Sequence, residues 1–77
     1  NPFKNITSIK YYLPNSTYTS LKIYDLLGNE VYSLLKGFQE AGYHTIEFNS
    51  QDIGEGIYFY ELRTNNSFEI KKMMIIK

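Results

Sequence analysis

Apolar side chains in this chain recur at every second position, and this alternation limits the fold more than any other feature. Ile9, Tyr11 and Leu13 share one face of a first segment, and Leu21 and Ile23 share one face of a second. An amphipathic helix would repeat every 3.6 residues, whereas alternation is the pattern of a half-buried β-strand. The sequence therefore predicts extended strands, and no segment convincingly predicts a helix.

Turn-forming residues separate short segments of this kind along the whole chain. Strands are predicted over residues 8–13, 20–24, 30–36, 44–48, 57–62 and 68–76. Six or seven short strands with regular turn signals are typical of a β-sandwich or a small barrel. We therefore expect one all-β domain in this 77-residue chain, with a thin core and little room for an enclosed active site.

Local signals refine three parts of this prediction. Val31 and Leu34 do not keep one phase in the third strand, so we expect a β-bulge there. Residues 37–42 are predicted to connect the third strand to the fourth. The Asn65-Asn66 pair suits a tight hairpin, because Asn tolerates the left-handed backbone region.

Two turns depend on the residues that form them. Asp25 and Gly28 occupy the first and fourth positions of a predicted type I turn, where Asp and Gly are preferred. We expect the Asp25 side chain to accept hydrogen bonds from the turn and Gly28 to take a positive φ. Gly56 ends the turn-rich segment 49–56, and a Val there would damage the turn if a positive φ is required.

The side chains that enzymes use are scarce in this chain. It has no Cys, and His44 is its single His. A hydrolase needs a nucleophile with a positioned base, or two opposed carboxylates. His44 shares an apolar face with Ile46 and Phe48, so we interpret it as a structural residue. We therefore expect no catalytic residue, no metal site and no cofactor.

Charge and hydropathy narrow the classes of partner. Eight basic and eight acidic side chains give a net charge of +0, which weighs against a nucleic-acid binder because such proteins need a basic surface. No stretch approaches the ~20 apolar residues of a membrane-spanning helix. The chain begins at Asn1 without an initiating Met, so we expect it to be a piece of a longer precursor.

The most unusual segment is the last one, Lys71-Lys72-Met73-Met74-Ile75-Ile76-Lys77. It combines three lysines with four large apolar residues and has no acid. One interpretation is a final strand whose lysines discourage edge-to-edge pairing. The other is an address that a receptor recognises through apolar pockets and basic ends. Composition by itself favours the structural interpretation.

Several motifs occur in a characteristic order: NPF (residues 1–3), IKYYLP (9–14), LKIYDLLGNEV (21–31), AGYHTI (41–46), GIYFYEL (56–62) and KKMMIIK (71–77). In this order the chain resembles the type A C-terminal sorting domain of the type IX (Por) secretion system of Bacteroidetes. It is also similar to the immunoglobulin-like domain of flagellar hook-capping proteins. Two departures are Lys4 after the NPF motif, where another Asn-Pro is common, and Phe48 at a strand position often held by Trp.

The resemblance implies an immunoglobulin-like β-sandwich at the C-terminus of a secreted cargo protein. It implies export through the periplasm and across the outer membrane to the cell surface or medium, with a translocon and a sortase as partners and no nucleic acid. The characteristic motifs of that family correspond to Gly56, Tyr58 and residues 71–77, and its turn glycine to Gly28, which Asp25 precedes in the turn. We expect a surface sortase to remove the domain after export.

Two other functions stay open from the residues alone. A purely structural immunoglobulin-like spacer, as in hook capping or beside a glycosidase, would persist in the mature protein. A carbohydrate-binding domain would use exposed rings such as Tyr12, Tyr24 or Tyr32 for stacking. Tyr on a strand is more often part of a cross-strand pair, which makes this second alternative the weaker one.

Overall fold

The computed structural model describes residues 6–76, apart from the side chain of Asp52. The motif Asn1-Pro2-Phe3 and the terminal Lys77 lie outside the described residues. The strands are β1 (Ile6–Leu13), β2 (Thr17–Tyr24), β3 (Glu30–Gln39), β4 (Gly42–Asn49), β5 (Gly56–Thr64) and β6 (Phe68–Ile75), and a short 3-10 turn covers Ser50–Asp52. The prediction of an all-β domain is therefore confirmed.

The strands form two antiparallel sheets that make a small β-sandwich. One sheet has the order β3-β2-β5-β6, and the other pairs β1 with β4. The open choice between sandwich and barrel is thus decided, because the two sheets share no hydrogen-bonded strand among the described residues. Strand β6 lies at an edge of the larger sheet, so β5 is its only neighbour in that sheet among the described residues.

The core lies between the two sheets and consists of alternate side chains from five strands. Its contiguous buried cluster consists of Ile9, Leu21, Ile23, Phe48, Leu62 and Ile75, and Leu13 at the end of β1 is buried as well. These positions follow the two-residue period of the sequence, because successive side chains of a strand point to opposite faces. Phe48, at the position where the resembled family often has Trp, is buried. The centroid of its ring lies 5.9 Å from that of the Tyr32 ring.

Strand β3 confirms one expectation and corrects another. Its pairing with β2 shifts register twice, which is the β-bulge expected from the broken apolar phase. The predicted connection over residues 37–42 is wrong, since β3 continues to Gln39 and pairs Gly37 with Thr19. Ladder hydrogen bonds to β2 hold this Gly in the strand despite its low β-propensity.

The β5–β6 hairpin forms where the Asn65-Asn66 pair predicted it, but for a different reason. No non-glycine residue within 6–76 has a positive φ, so neither Asn takes the left-handed conformation. Thr64 closes the turn instead: its N–H donates to the Ser67 carbonyl at 2.8 Å, and its Oγ1 accepts from the Ser67 N–H at 3.2 Å. A local side-chain cap of this kind replaces the special backbone angles.

Candidate functional site

Residues 71–75 of the terminal segment belong to the last strand, β6, and the residue pairs of this segment divide between the two faces of the sheet. In each identical pair the odd-numbered residue points towards the other sheet and the even-numbered residue points to solvent. Ile75 is only 3% exposed, whereas Ile76 is 73% exposed. Met73 is half-buried against the core, whereas Met74 is 61% exposed. Half of the segment is therefore structural and half is free to meet a partner.

The two adjacent lysines differ in the same way. Lys71 lies 3.7 Å from the Glu69 carboxylate, an exposed ion pair of small energetic weight. Lys72 faces the opposite side, across from Phe59 of β5, and has no ion-pair partner among the residues of the structure. An exposed cation without a partner is available for an intermolecular contact.

The outward residues of the last strand, followed by the exposed Ile76 directly after it, form a row that we call the outer stripe: Phe68, Ile70, Lys72, Met74 and Ile76. All four apolar members are exposed, Ile70 for instance at 55%. Single exposed apolar residues are ordinary, but a contiguous apolar surface marks an interaction site. The sequence shows that Phe68, Ile70, Met74 and Ile76 share a phase, yet it does not show which face the other sheet covers.

A groove of about 430 Å³ adjoins the outer stripe at Ile70. Tyr24, Phe59 and Glu61 line it from β2 and β5, and the turn from Asp25 to Gly28 forms its wall. Leu26 of that turn is exposed at the rim. The expected turn residues and the last strand therefore border one surface depression.

The wall of this groove is built as the sequence predicts. The Gly28 N–H donates to the Asp25 carbonyl at 3.0 Å, and Gly28 has a φ of +87°. The Asp25 carboxylate accepts from the backbone N–H groups of Asn29 and Leu27, each at 2.9 Å. These bonds, that of Asn29 foremost, hold the pKa of Asp25 below its ordinary value, because they favour the charged form.

Gly56 and Tyr58 support the inward half of the last strand. Gly56 pairs with Ile75 and Tyr58 with Met73 in the β5–β6 ladder. Gly56 has a φ of +144°, which only glycine adopts readily. The Tyr58 hydroxyl donates to the Gly54 carbonyl at 2.8 Å, an arrangement like the tyrosine corner of immunoglobulin-like domains. These two motif residues therefore fix the start of β5.

The single His is part of the framework of the smaller sheet. Its ring stacks on Tyr11 with centroids 5.1 Å apart, and the His44 Nε2 lies 2.7 Å from the Glu40 carbonyl oxygen. Burial of Tyr11 raises the pKa of its phenol. In the described part of the chain, no three His, Asp or Glu side chains converge as a metal site. The described residues also contain no helix with the length and hydropathy needed to cross a bilayer.

Exposed tyrosines are engaged with neighbouring side chains. Tyr12 and Tyr43 form a cross-strand pair with centroids 4.8 Å apart, and the Tyr24 hydroxyl lies 3.5 Å from a Glu61 carboxylate oxygen. Tyr32 packs towards Phe48 in the core. The three rings proposed for sugar stacking therefore do not form one platform, and pairing explains each of them.

These features define a class of protein: a small β-sandwich module that presents an exposed strand. The model of the secretion system C-terminal sorting domain family matches residues 1–77, and the chain belongs to this family. The family supports a role as a sorting signal for type IX secretion. Members of this family are sorting domains and not enzymes, and they are typical of Bacteroidetes. No curated protein and no solved structure shows a significant match to the chain.

Proposed function

We propose that residues 1–77 are the single C-terminal sorting domain of a larger secreted precursor. The domain directs an attached cargo protein through the type IX outer-membrane translocon, and a surface sortase then removes it. Its partners are the translocon and sortase proteins and the cargo to which it is joined. Membership of the sorting family over the whole chain is the observation that carries this proposal.

In this proposal the machinery recognises the terminal segment of Lys71, Lys72, Met73, Met74, Ile75, Ile76 and Lys77. Within it, Lys72, Met74 and Ile76 make the contact, whereas Lys71, Met73 and Ile75 lie on the opposite face of the strand and make no contact with the machinery. The segment's exposed apolar side chains suit binding to a protein surface, and its exposed lysines can orient an acidic partner. The other motif residues act as scaffold, because Asp25 and Gly28 build the groove wall while Gly56 and Tyr58 align β5 with the last strand. The sandwich then serves as a rigid platform for the terminal strand.

An export assay tests the proposal. A reporter protein with an N-terminal signal peptide and residues 1–77 at its C-terminus is expressed in a bacterium with a working type IX system. We expect the reporter at the cell surface or in the medium. Matched controls lack the domain, lack residues 71–77, or use a host without the translocon, and all three should retain the reporter in the periplasm. Normal export of the reporter without the domain would contradict the proposal.

Mass spectrometry of the exported reporter separates a sorting signal from a structural spacer. A domain cleaved by the sortase is absent from the extracellular form, and its loss should depend on the host sortase. A spacer would persist in the extracellular form whether or not the sortase is present. Retention of all 77 residues in a sortase-competent host would therefore refute the cleavage step.

A further inference from the structure

We propose that the secretion machinery reads the outward face of the last strand, and that its docking surface is an apolar protein surface carrying a carboxylate that meets Lys72. This inference rests on the proposed sorting function and names the partner's chemistry. The contact consists of the outer stripe together with the adjoining groove at Ile70.

The charges on the last strand favour recognition of its face over addition of a partner strand to its edge. Glu69 and Lys71 point to the inner side of the sheet, and both are exposed there as an ion pair. Charged residues on the inner side of an edge strand are a device by which proteins resist edge-to-edge pairing. A partner strand added at this edge would have to accommodate that pair, whereas the outer stripe has no such obstacle.

The outer stripe presents large apolar side chains to a partner, and the groove beside it could receive an apolar side chain of that partner. Ile70 borders the groove of about 430 Å³, whose other apolar lining includes Phe59 and the exposed Leu26. Met74 extends the apolar surface on the other side of Lys72. Interfaces of this kind rely on a few buried apolar anchors, and flexible Met side chains adapt well to a partner surface.

The unpaired charge of Lys72 indicates which chemical group the partner presents to it. On this sheet face Lys22 lies 3.3 Å from Glu30 and Arg63 lies 3.1 Å from Glu61, so both are already neutralised. Lys36 has no ion pair among the described residues either, but it lies on β3, at the sheet edge opposite the last strand. Lys72 has no such partner among residues 6–76 and stands between apolar neighbours, where a carboxylate of a partner would pair with it strongly. An anionic membrane attracts clusters of basic residues, so a single unpaired cation in an apolar row fits a protein partner better.

The duplicated residues supply the test and its control. Lys72→Glu and Lys71→Glu make the same change of charge on adjacent residues of opposite faces. In the reporter assay we expect Lys72→Glu to lower export by about tenfold or more, because reversed charge inside an interface is repelled by the partner. Lys71→Glu should stay within about twofold of the wild type, because it loses only an exposed ion pair. Met74→Glu should match Lys72→Glu.

Three results would overturn the inference while leaving the sorting function intact. The first is equal export of both lysine variants, with the domain still required. The second is a sedimentation experiment in which the purified chain dimerises and Met74→Glu makes it monomeric, which would assign the stripe to a second copy. The third is binding of the purified chain to anionic lipid vesicles that Lys72→Glu abolishes. Thermal melts within about 3 °C of the wild type establish that the surface variants are folded.

Discussion

Replacing Ile75 or the neighbouring Ile76 by Ala should have very unequal effects on stability. Ile75 belongs to the buried core cluster and lies opposite Gly56, whereas Ile76 is exposed on the outer stripe. Ile75→Ala removes buried methyl and methylene groups and leaves a cavity, whereas Ile76→Ala removes groups that are already in water. The pair therefore tests whether the last strand is docked in the register that the structure shows.

The magnitude follows from the size of the domain. A buried Ile→Ala change costs about 2–5 kcal/mol, and we take about 3 kcal/mol for a residue near the end of a strand. A domain of this size has a total stability of about 4–12 kcal/mol, so the loss is a large fraction. With an unfolding entropy of about 2.1 cal/mol/K per residue, each kcal/mol shifts Tm by about 6 °C. Ile75→Ala should therefore lower Tm by roughly 18 °C.

Urea and thermal unfolding followed by circular dichroism would measure this difference. The expected Tm change for Ile76→Ala is about 3 °C or less, because substitutions at exposed sites stay within about 0.5 kcal/mol. The two variants differ by one position and have identical composition, so general effects on the chain cancel. Equal Tm values for Ile75→Ala and Ile76→Ala would refute the docking of Ile75 in the core.

Three further predictions concern the turns around the last strand. Gly56→Val should lower the free energy of unfolding by about 1–3 kcal/mol, because Gly56 has a positive φ. Gly37→Val, at an ordinary strand position, should not have this cost. Equal unfolding midpoints for the two variants would contradict this prediction. The stability that Asp25 contributes is complete above its unfolded-state pKa of about 3.9 and is lost as pH falls through its lower folded-state pKa. The Tm difference between wild type and Asp25→Asn should therefore shrink on acidification, and a difference independent of pH would exclude a role for the carboxylate charge. Tyr58→Phe should lose about 1 kcal/mol with its hydrogen bond, whereas Tyr43→Phe at an exposed ring should have no measurable effect in the same melts.

Much of the fold could be read from local patterns. Alternation placed Ile9, Leu21 and Ile23 in the core, since a strand with one buried face leaves that period in its residues. The turn from Asp25 to Gly28 was predictable because its hydrogen bonds and its positive φ are local. The length of β3 was not predictable, because pairing with β2 extends it through Gly37.

The sequence located the candidate site in the terminal segment, but only the structure shows which of its residues face the core and which face solvent. Identical residues in the pairs of the last strand have identical propensities, so composition cannot tell Lys71 from Lys72 or Ile75 from Ile76. The difference arises because the smaller sheet covers one face of the strand and leaves the other to solvent. The same packing places Ile70 beside a groove whose wall comes from a turn more than forty residues earlier in the chain.

The all-β class, the main turns, the lack of Cys with a single His, and the family resemblance could be read from the sequence, because each depends on residue type and short-range spacing. Tertiary structure alone decided which strands pair, how the two sheets stack, and which half of the terminal segment meets solvent. Those outcomes depend on contacts between residues far apart in the chain, and the two-residue period fixes only that the faces differ, not which of them is covered.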